Sequence, residues 1–314
     1  MHIFKKIGRV TLILLLTVLA VLLLAIGGLN IAKYIIYRDY YKMESNVCDN
    51  PGLGDGFVCQ GIAVAEEKNV ILVSGYMKDK SASRIYVTNE DDEDYYVTLK
   101  QGDSAFTGHV GGIATTGSTV YLANDGRIHL LSLSDLLDAN EGDALDVGEG
   151  IRVNNQASFV YTDDSFLFVG EFHDGGKYTV EGHENETAEG THYAICTQYA
   201  LGDLTTPLAV YTLRNKVQGI CFTPGGKVIL STSYGVADTV YYVYDLKDAT
   251  RAEKDFEGAP LYYLDHLERE VKGPAMGEDL DWSDGHVITL TESASDKYIF
   301  GKLFGATKIV ALKF

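Results

Sequence analysis

The chain has 314 residues and a formal net charge of −18. That length suits one large domain or two small ones. The first 38 residues hold five basic residues and no acidic one, so the remainder has a formal charge of −23, from 21 basic and 44 acidic residues. An acidic surface repels the phosphates of nucleic acids, so nucleic acid is excluded as an expected partner.

A charge-free apolar segment extends from Val10 to Ile31. About 20 apolar residues are enough to cross a bilayer as a helix, and the preceding Lys5, Lys6 and Arg9 favour a cytoplasmic N-terminus. The alternative is a cleaved signal peptide, whose apolar region is usually shorter and is followed by a small-residue cleavage site. The predicted organisation, at the plasma membrane, is a cytoplasmic basic tail over 1–9, a transmembrane signal anchor over 10–31, a juxtamembrane linker over 32–44 and one extracytoplasmic domain over 45–314.

All four cysteines follow the apolar segment, at Cys48, Cys59, Cys196 and Cys221. An even number of cysteines in an oxidising compartment favours disulfides. Four cysteines allow three pairings, of which Cys48–Cys59 and Cys196–Cys221 are favoured. A reduced, buried role is the alternative for the second pair, since cysteine is readily buried.

A short motif, in which a polar residue is followed by a small one and then by apolar ones, occurs five times, each time before a segment rich in strand-forming residues. It reads CQGIAVA at 59–65, HVGGIAT at 109–115, NQASFVY at 155–161, VQGICFT at 217–223 and GEDLDWS at 277–283. The aligned polar positions, at spacings of 51, 45, 62 and 60 residues, are Gln60, Gly111, Gln156, Gln218 and Glu278. A four-stranded propeller blade takes roughly 40–50 residues. The runs rich in Val, Ile, Tyr and Thr therefore predict an all-β fold, a β-propeller of five four-stranded blades.

The fifth repeat ends after three strands, so its fourth strand must come from elsewhere. Residues 39–47 precede the first motif and are predicted to supply it, which closes the ring and removes its exposed edges. In the fourth repeat the last strand is expected at LYYLD, residues 261–265. Six blades are the alternative if the insertion at 174–192 contains a hairpin.

The G-I-A or G-I-C motif that opens a blade resembles the innermost strand of paraoxonase-like, gluconolactonase-like and streptogramin-lyase-like propellers. The five repeats and the membrane anchor are also similar to calcium-dependent apyrases and other five-bladed propellers. This resemblance covers residues 45–314 and lies in the spacing and strand pattern of the repeats. It implies a propeller with a site at its channel mouth. Paraoxonase-like propellers hold calcium on the axis, but with more Asn and Asp than this sequence offers.

In a propeller the first strand of each blade lines the central channel, so the five aligned positions are predicted to form a ring at its mouth. A second set, at the ends of the second strands, is expected to face the same opening: Tyr76, Asn124, Asp125, Glu171, Phe172, Tyr234 and Glu292. A polar bowl edged by aromatic side chains suits a small ligand. The alternative for the ring is hydrogen bonding between blades and with channel water.

Two carboxylates at one channel mouth repel each other unless one is protonated or a cation lies between them. Calcium prefers six to eight oxygen ligands, so a calcium ion is expected at the polar ring. Its predicted ligands are Glu278, Gln60, Gln156 and Gln218. The candidate acid–base groups are His109, Glu171 and Glu292. A hydrogen-bonded structural role is the alternative for His109.

The insertion also carries His173, His183 and His192 among several glutamates. Histidine and carboxylate suit a transition metal, whereas the alternative is an acidic loop over the opening.

Together these features predict a membrane-anchored propeller that binds a small molecule, a glycan or a protein at its channel mouth. A calcium-dependent hydrolase acting on lactones, phosphoesters, nucleotides or glycosides is one alternative. A cell-envelope scaffold that uses the outer faces of the blades is the other. The sequence leaves open whether the protein is an enzyme.

Overall fold

A computed structural model describes residues 2–298 and 306–314, with side chains described at all of these except 2–8, 10 and 30. Helix α1 (His2–Ile36) comes first, followed by the short helix α2 (Arg38–Met43) and strand β1 (Glu44–Asp49). Within α1, residues Thr11–Ile36 are long and apolar enough to cross a membrane. The predicted linker over 32–44 is thus largely helical, and Lys5 and Lys6 lie outside the described side chains.

Within the described residues, most of the strands form five main sheets, largely antiparallel, that correspond to the five repeats. Blade one consists of β2 (Phe57–Ala65), β3 (Val70–Met77), β4 (Arg84–Thr88) and β5 (Tyr95–Gln101), with β6 (Ser104–Ala105) paired to β5. Blade two consists of β7 (Gly112–Thr116), β8 (Thr119–Asn124), β9 (Arg127–Ser132) and, after α3 (Leu133–Leu137) and β10 (Ala144–Asp146), β11 (Ile151–Arg152). Strand β10 pairs in parallel with β5 and so links the first two blades.

Blade three carries the long insertion between its second and third strands. It consists of β12 (Phe159–Thr162), β13 (Phe166–Gly170), the separate hairpin β14 (Asn185–Thr187) and β15 (Gly190–His192), then β16 (Ala194–Ala200) and β17 (Asp203–Leu213). The insertion therefore does contain a hairpin, but that hairpin forms its own two-stranded sheet and not a sixth blade.

Blade four differs from the sequence prediction at its outer strand. Its elements are β18 (Val217–Phe222), β19 (Lys227–Thr232), β20 (Thr239–Asp245), then β21 (Thr250–Arg251), β22 (Leu261–Tyr263) and β23 (Leu267–Gly273). The expected LYYLD strand, β22, pairs in parallel with β17 of blade three, whereas β23 completes blade four. The sequence of β23, LEREVKG, is mostly exposed and charged, so it lacks the apolar signal of a strand.

Blade five closes the ring with strands from both ends of the chain. Its sheet is β24 (Gly277–Ser283), β25 (His286–Thr291), β26 (Lys308–Leu312) and the N-terminal β1. The five-bladed propeller and its closure by the N-terminal segment are confirmed. The closing strand begins at Glu44, later than predicted, because residues 38–43 are helical.

The repeated motif has a steric cause at the propeller axis. In blades one, two and four the residue after the aligned position is glycine, at Gly61, Gly112 and Gly219, and it lies where neighbouring inner strands meet backbone to backbone. A Cβ on Gly61 would lie 2.6 Å from the backbone nitrogen of Ile113, and one on Gly219 would lie 2.6 Å from Cα of Asp279. Real Cβ atoms do not approach this closely, so these blades require glycine. The apolar cores lie between adjacent blades.

The four cysteines are free, buried thiols in this structure, so neither favoured disulfide is formed. Cys59 instead donates to the carbonyl of Thr291 at 3.4 Å and accepts from Asn50 at 3.2 Å. Cys196 and Cys221 lie in the inter-blade core, on strands of different blades. Their burial serves packing, which is the alternative role that the sequence left open.

Candidate functional site

The inner strands begin around one cavity of about 910 Å³ on the propeller axis. All five aligned positions of the repeat line it, namely Gln60, Gly111, Gln156, Gln218 and Glu278. Left-handed residues lie just before four of these strands, with φ of 51° at Val110, 45° at Ala157, 66° at Lys216 and 67° at Met276. The predicted ring of polar positions is therefore assembled in the structure.

The ends of the second strands contribute the cavity's upper wall. The residues predicted to face the opening that do line the cavity are Tyr76, His109, Asn124, Asp125, Phe172, Tyr234 and Glu292. Glu171 is the exception, because it is fully buried behind the wall. Its oxygens accept from the backbone nitrogens of Gln156 and Ile195, both at 3.1 Å, and one lies 2.8 Å from Nδ1 of His183. Glu171 thus fixes the insertion to blade three.

Two interacting carboxyl groups, those of Glu278 and Glu292, line the cavity. Burial raises the pKa of Glu278 well above its usual range, and the nearby Glu292 and Asp279 raise it further. Burial also raises the pKa of Glu292 to about 7, although Tyr298, Lys297 and Gln60 oppose the shift. Carboxyl groups that interact this strongly share protonation, so the pair retains a proton at neutral pH and can both donate and accept hydrogen bonds.

A hydrogen-bonded chain connects this pair to the cavity wall. Gln60 donates from Nε2 to Glu292 Oε2 at 3.0 Å, so its Oε1 is the acceptor for His109 Nε2. His109 presents an open face to the cavity, yet the surrounding protein desolvates it and lowers its pKa to about 4, with Lys297 and Lys177 adding to the effect. His109 is therefore a neutral imidazole that uses Nε2 as its donor. Its ring packs against Tyr76, with centroids 4.5 Å apart.

Two Lys-Tyr dipeptides line the cavity and were missed from the sequence: Lys177-Tyr178 in the insertion and Lys297-Tyr298 after blade five's second strand. Lys297 Nζ donates to the Tyr76 hydroxyl and lies 4.6 Å from the centre of that ring. The repeated KY dipeptide, in the loops that follow the second strands of two blades, is the signal that could have identified them.

An aromatic cluster forms another part of the wall. The Phe172 ring lies 5.7 Å from Tyr178 and 5.9 Å from Tyr234, measured between centroids. Tyr178 and Tyr234 are each 43% exposed, so their rings remain available to a ligand. The cavity therefore combines apolar ring faces with convergent polar groups, as small-molecule sites do.

Beneath the cavity, two carboxyl groups replace the small residues of the other blades. Asp279 accepts from the backbone nitrogen of Ile62 at 3.3 Å, and Asp281 accepts from that of Val64 at 2.6 Å. Burial raises the pKa of Asp279 well above its usual range and that of Asp281 to about 7. These contacts join the inner strands of blades five and one. The alternating acids of GEDLDWS were the available sequence signal.

The calcium ion expected at the polar ring stays a prediction, and two contacts of the ring bear on it. Both polar atoms of the Gln60 side chain are engaged, and the Lys297 ammonium already places positive charge beside the acidic pair. Within residues 2–298 and 306–314, no three His, Cys, Asp or Glu side chains are arranged to hold a metal.

The three histidines of the insertion likewise have separate partners. His173 Nδ1 accepts from the backbone nitrogen of Val180, His183 binds Glu171, and His192 Nδ1 lies 2.9 Å from the hydroxyl of Thr212. Residues 177–180 of the insertion line the cavity. This arrangement agrees with the alternative of a loop over the opening.

No protein-family model and no curated protein sequence matches this chain. Solved propeller structures are similar in fold. The PQQ-bound aldose sugar dehydrogenase of Streptomyces coelicolor is 13% identical with a TM-score of 0.45, over 79% of this chain and 76% of that one. A putative glucose dehydrogenase of Thermus thermophilus is 12% identical with a TM-score of 0.44, over 86% of this chain and 99% of that one. Hydrazine synthase of Kuenenia stuttgartiensis is 8% identical with a TM-score of 0.40, over 74% of this chain and 55% of that one.

Proposed function

We propose that the protein is a membrane-anchored receptor for a glycan, which it binds in the axial cavity. The observation that carries this proposal is the convergence of all five inner strands on one cavity of about 910 Å³ that holds a protonated carboxyl pair and aromatic faces. A cavity of this size accommodates a small molecule, and a few placed polar groups give it specificity.

The chemistry of the walls suits a polyhydroxylated ligand. Sugar hydroxyls both donate and accept, and the Glu278–Glu292 pair offers both capacities, with Gln156 and Asn124 beside it. Hydrogen bonds to an ionised carboxylate are stronger than those between neutral groups. The exposed faces of Tyr178 and Tyr234 provide stacking surfaces for the C–H face of a pyranose ring.

The test is a glycan array probed with the fluorescently labelled full chain in detergent, followed by calorimetry with each glycan that is retained. Glu278→Gln removes the ionisable carboxyl while preserving the side-chain shape, so it is expected to abolish binding. Glu67→Gln, on an exposed turn between β2 and β3 at the opposite face, is the matched control and should bind as the wild type does. Retained affinity in Glu278→Gln, or an array without any hit, would overturn the proposal.

Glycoside hydrolysis is a second candidate, because the acidic pair also suits acid–base catalysis. A carboxyl group with a pKa near the working pH is an efficient general acid, and the pKa of Glu292 is raised to about 7. Here Glu292 would protonate the leaving oxygen, while Glu278 as a carboxylate would either deprotonate the water that attacks the anomeric carbon or attack that carbon itself, to be released later by water. Release of nitrophenol from a panel of nitrophenyl glycosides, lost in Glu292→Gln, would establish turnover. Binding without product would assign the cavity to recognition alone.

The apolar helix supports a place at the plasma membrane. We assign the basic tail to the cytoplasm and the propeller to the extracytoplasmic side, since Lys5, Lys6 and Arg9 precede the apolar segment. Protease protection in right-side-out vesicles tests this orientation, and a propeller that is shielded from added protease would reverse it.

A further inference from the structure

The membrane helix joins the propeller at the face that carries the cavity. The Tyr37 hydroxyl, immediately after α1, donates to Asp238 at 2.8 Å. Asp238 belongs to the loop 233–238 between the second and third strands of blade four. The same loop contributes Tyr234 and Gly235 to the cavity lining. The end of α1 therefore lies beside the cavity rim.

The strand register shows in which direction the chain then runs. Glu44 pairs with Leu312, and Leu312 pairs with Val287, which lies near the start of the second strand of blade five. Second strands start at the face opposite the cavity and end at the cavity wall, as Glu292 does after β25. From Tyr37 to Glu44 the chain thus crosses from the cavity face to the opposite face. The chain before Tyr37 leaves the propeller on the cavity side.

The junction between the helices is held firmly. The backbone nitrogens of Tyr37 and Tyr41 donate to the carbonyls four residues earlier, so helical bonding continues across the bend. Tyr40 is 2% exposed and stacks on Tyr241, with ring centroids 6.1 Å apart. In contrast, the apolar stretch Thr11–Ile36 is largely exposed where its side chains are described, and near its end Tyr34 packs on Tyr41 of α2. A helix held in this way fixes which face of the propeller is turned toward the membrane.

The rim beside this junction has the composition of a membrane interface. We define the rim patch as Lys177, Tyr178, Lys216, Tyr234 and Val236. Val236 is 67% exposed and both tyrosines are 43% exposed. Lys177 Nζ donates to the Tyr178 hydroxyl at 2.9 Å, and Lys216 Nζ lies 5.7 Å from the centre of the Tyr234 ring. Tyrosine is enriched at the boundary between lipid and water, and lysine extends its charge to the headgroups there.

We propose that the cavity opens toward the bilayer that anchors the chain, with the rim patch in contact with the lipid headgroups. Its ligand at the membrane is then the sugar headgroup of a lipid, and free sugars serve as soluble probes of the same cavity. The identity of the headgroup as a sugar rests on the proposed glycan binding, whereas the orientation of the cavity rests on α1 as the membrane anchor, on the helix junction and on the strand register.

The orientation is tested with the full chain in phosphatidylcholine vesicles. An environment-sensitive fluorophore is attached at Val236→Cys in the rim patch or at Glu67→Cys on the opposite face, and the four native thiols are buried. Quenching by doxyl-labelled lipids is expected to be several-fold stronger at residue 236 than at residue 67. Equal quenching, or stronger quenching at residue 67, would overturn the proposal.

A second measurement separates this proposal from the glycan proposal. Free glucose and galactose are compared with vesicles that carry monoglucosyl- or monogalactosyl-diacylglycerol. We expect Val236→Asp, which does not line the cavity, to lose several-fold in glycolipid binding while free-sugar binding is unchanged. Binding of the free sugar without binding of its glycolipid would overturn the membrane-facing cavity and leave the glycan site intact. If neither form binds, glucose and galactose fail as ligands and the quenching result decides the orientation.

Discussion

The axial packing of the blades predicts a specific cost for adding one methyl group at Gly112. A Cβ there would lie 2.5 Å from the backbone nitrogen of Val160 and 2.7 Å from Cα of Phe159. Ordinary contact begins at 3.4 Å, so blades two and three must separate by 0.9 Å, the difference between 3.4 and 2.5 Å. Because both atoms belong to the backbone, no side-chain rotation relieves the clash. Overpacking of this kind costs about 1–3 kcal/mol.

The assay is urea unfolding of Gly112→Ala in detergent, followed by circular dichroism of the β-sheet signal. Gly202→Ala is the matched control, because its added Cβ has no neighbour within 4 Å and the residue is exposed. We expect the control to change the free energy of unfolding by less than about 0.5 kcal/mol. If Gly112→Ala is no less stable than Gly202→Ala, the close backbone approach at the axis is wrong.

Three further predictions concern buried titratable groups. Asp281 has a pKa of about 7 where 3.8 is usual, so its ionisation costs at most about 4 kcal/mol of folding free energy. Below pH 4 Asp281 is protonated in the folded and the unfolded protein, so this cost is absent, and the cost develops as the pH rises to 7. The advantage of Asp281→Asn over the wild type in urea unfolding should therefore grow across that range. Burial raises the pKa of Cys48 to about 11 and those of the other three thiols further, so iodoacetamide should modify none in the folded protein and four in urea, as counted by intact mass. Burial lowers the pKa of His183, but Glu171 outweighs burial and the net pKa is raised. The ion pair therefore weakens above that pKa. The protection factors of residues 173–192, which are exchange rates corrected for the intrinsic rise of amide exchange with pH, should fall as the pH rises through that pKa in the wild type and should be low at every pH in Glu171→Gln.

Much of the fold is predictable because the repeat has a simple physical origin. Glycine is required after the aligned position where inner strands meet closely, as at Gly61 and Gly219, and this requirement produces much of the recurring motif. Because blade five lacks a fourth strand at the end of the chain, the N-terminal segment could be predicted to supply it. The outer strand of blade four was not predictable, because β23 exposes its charged residues and only Val271 and Gly273 are buried.

The candidate site was predictable where it follows from the repeat. The ring from Gln60 to Glu278 lies at fixed positions in the inner strands, so the topology alone brings it together. The direction of a side chain could not be predicted in the same way. Glu171 occupies the expected position at a strand end, but it is buried behind the wall. Lys297 and Tyr178 come from long loops whose one shared sequence signal is the Lys-Tyr dipeptide, and the fold places them in the cavity.

Binding in the axial cavity is best measured by hydrogen–deuterium exchange with the glycan that binds most tightly on the array. We expect slower exchange in the segments that surround the cavity, at 57–62, 107–112, 154–159, 173–180 and 274–279, with no change in Glu278→Gln. Protection confined to the outer strand segment 241–246, with the cavity segments unchanged, would contradict binding at the axis and would favour recognition by the outer faces of the blades.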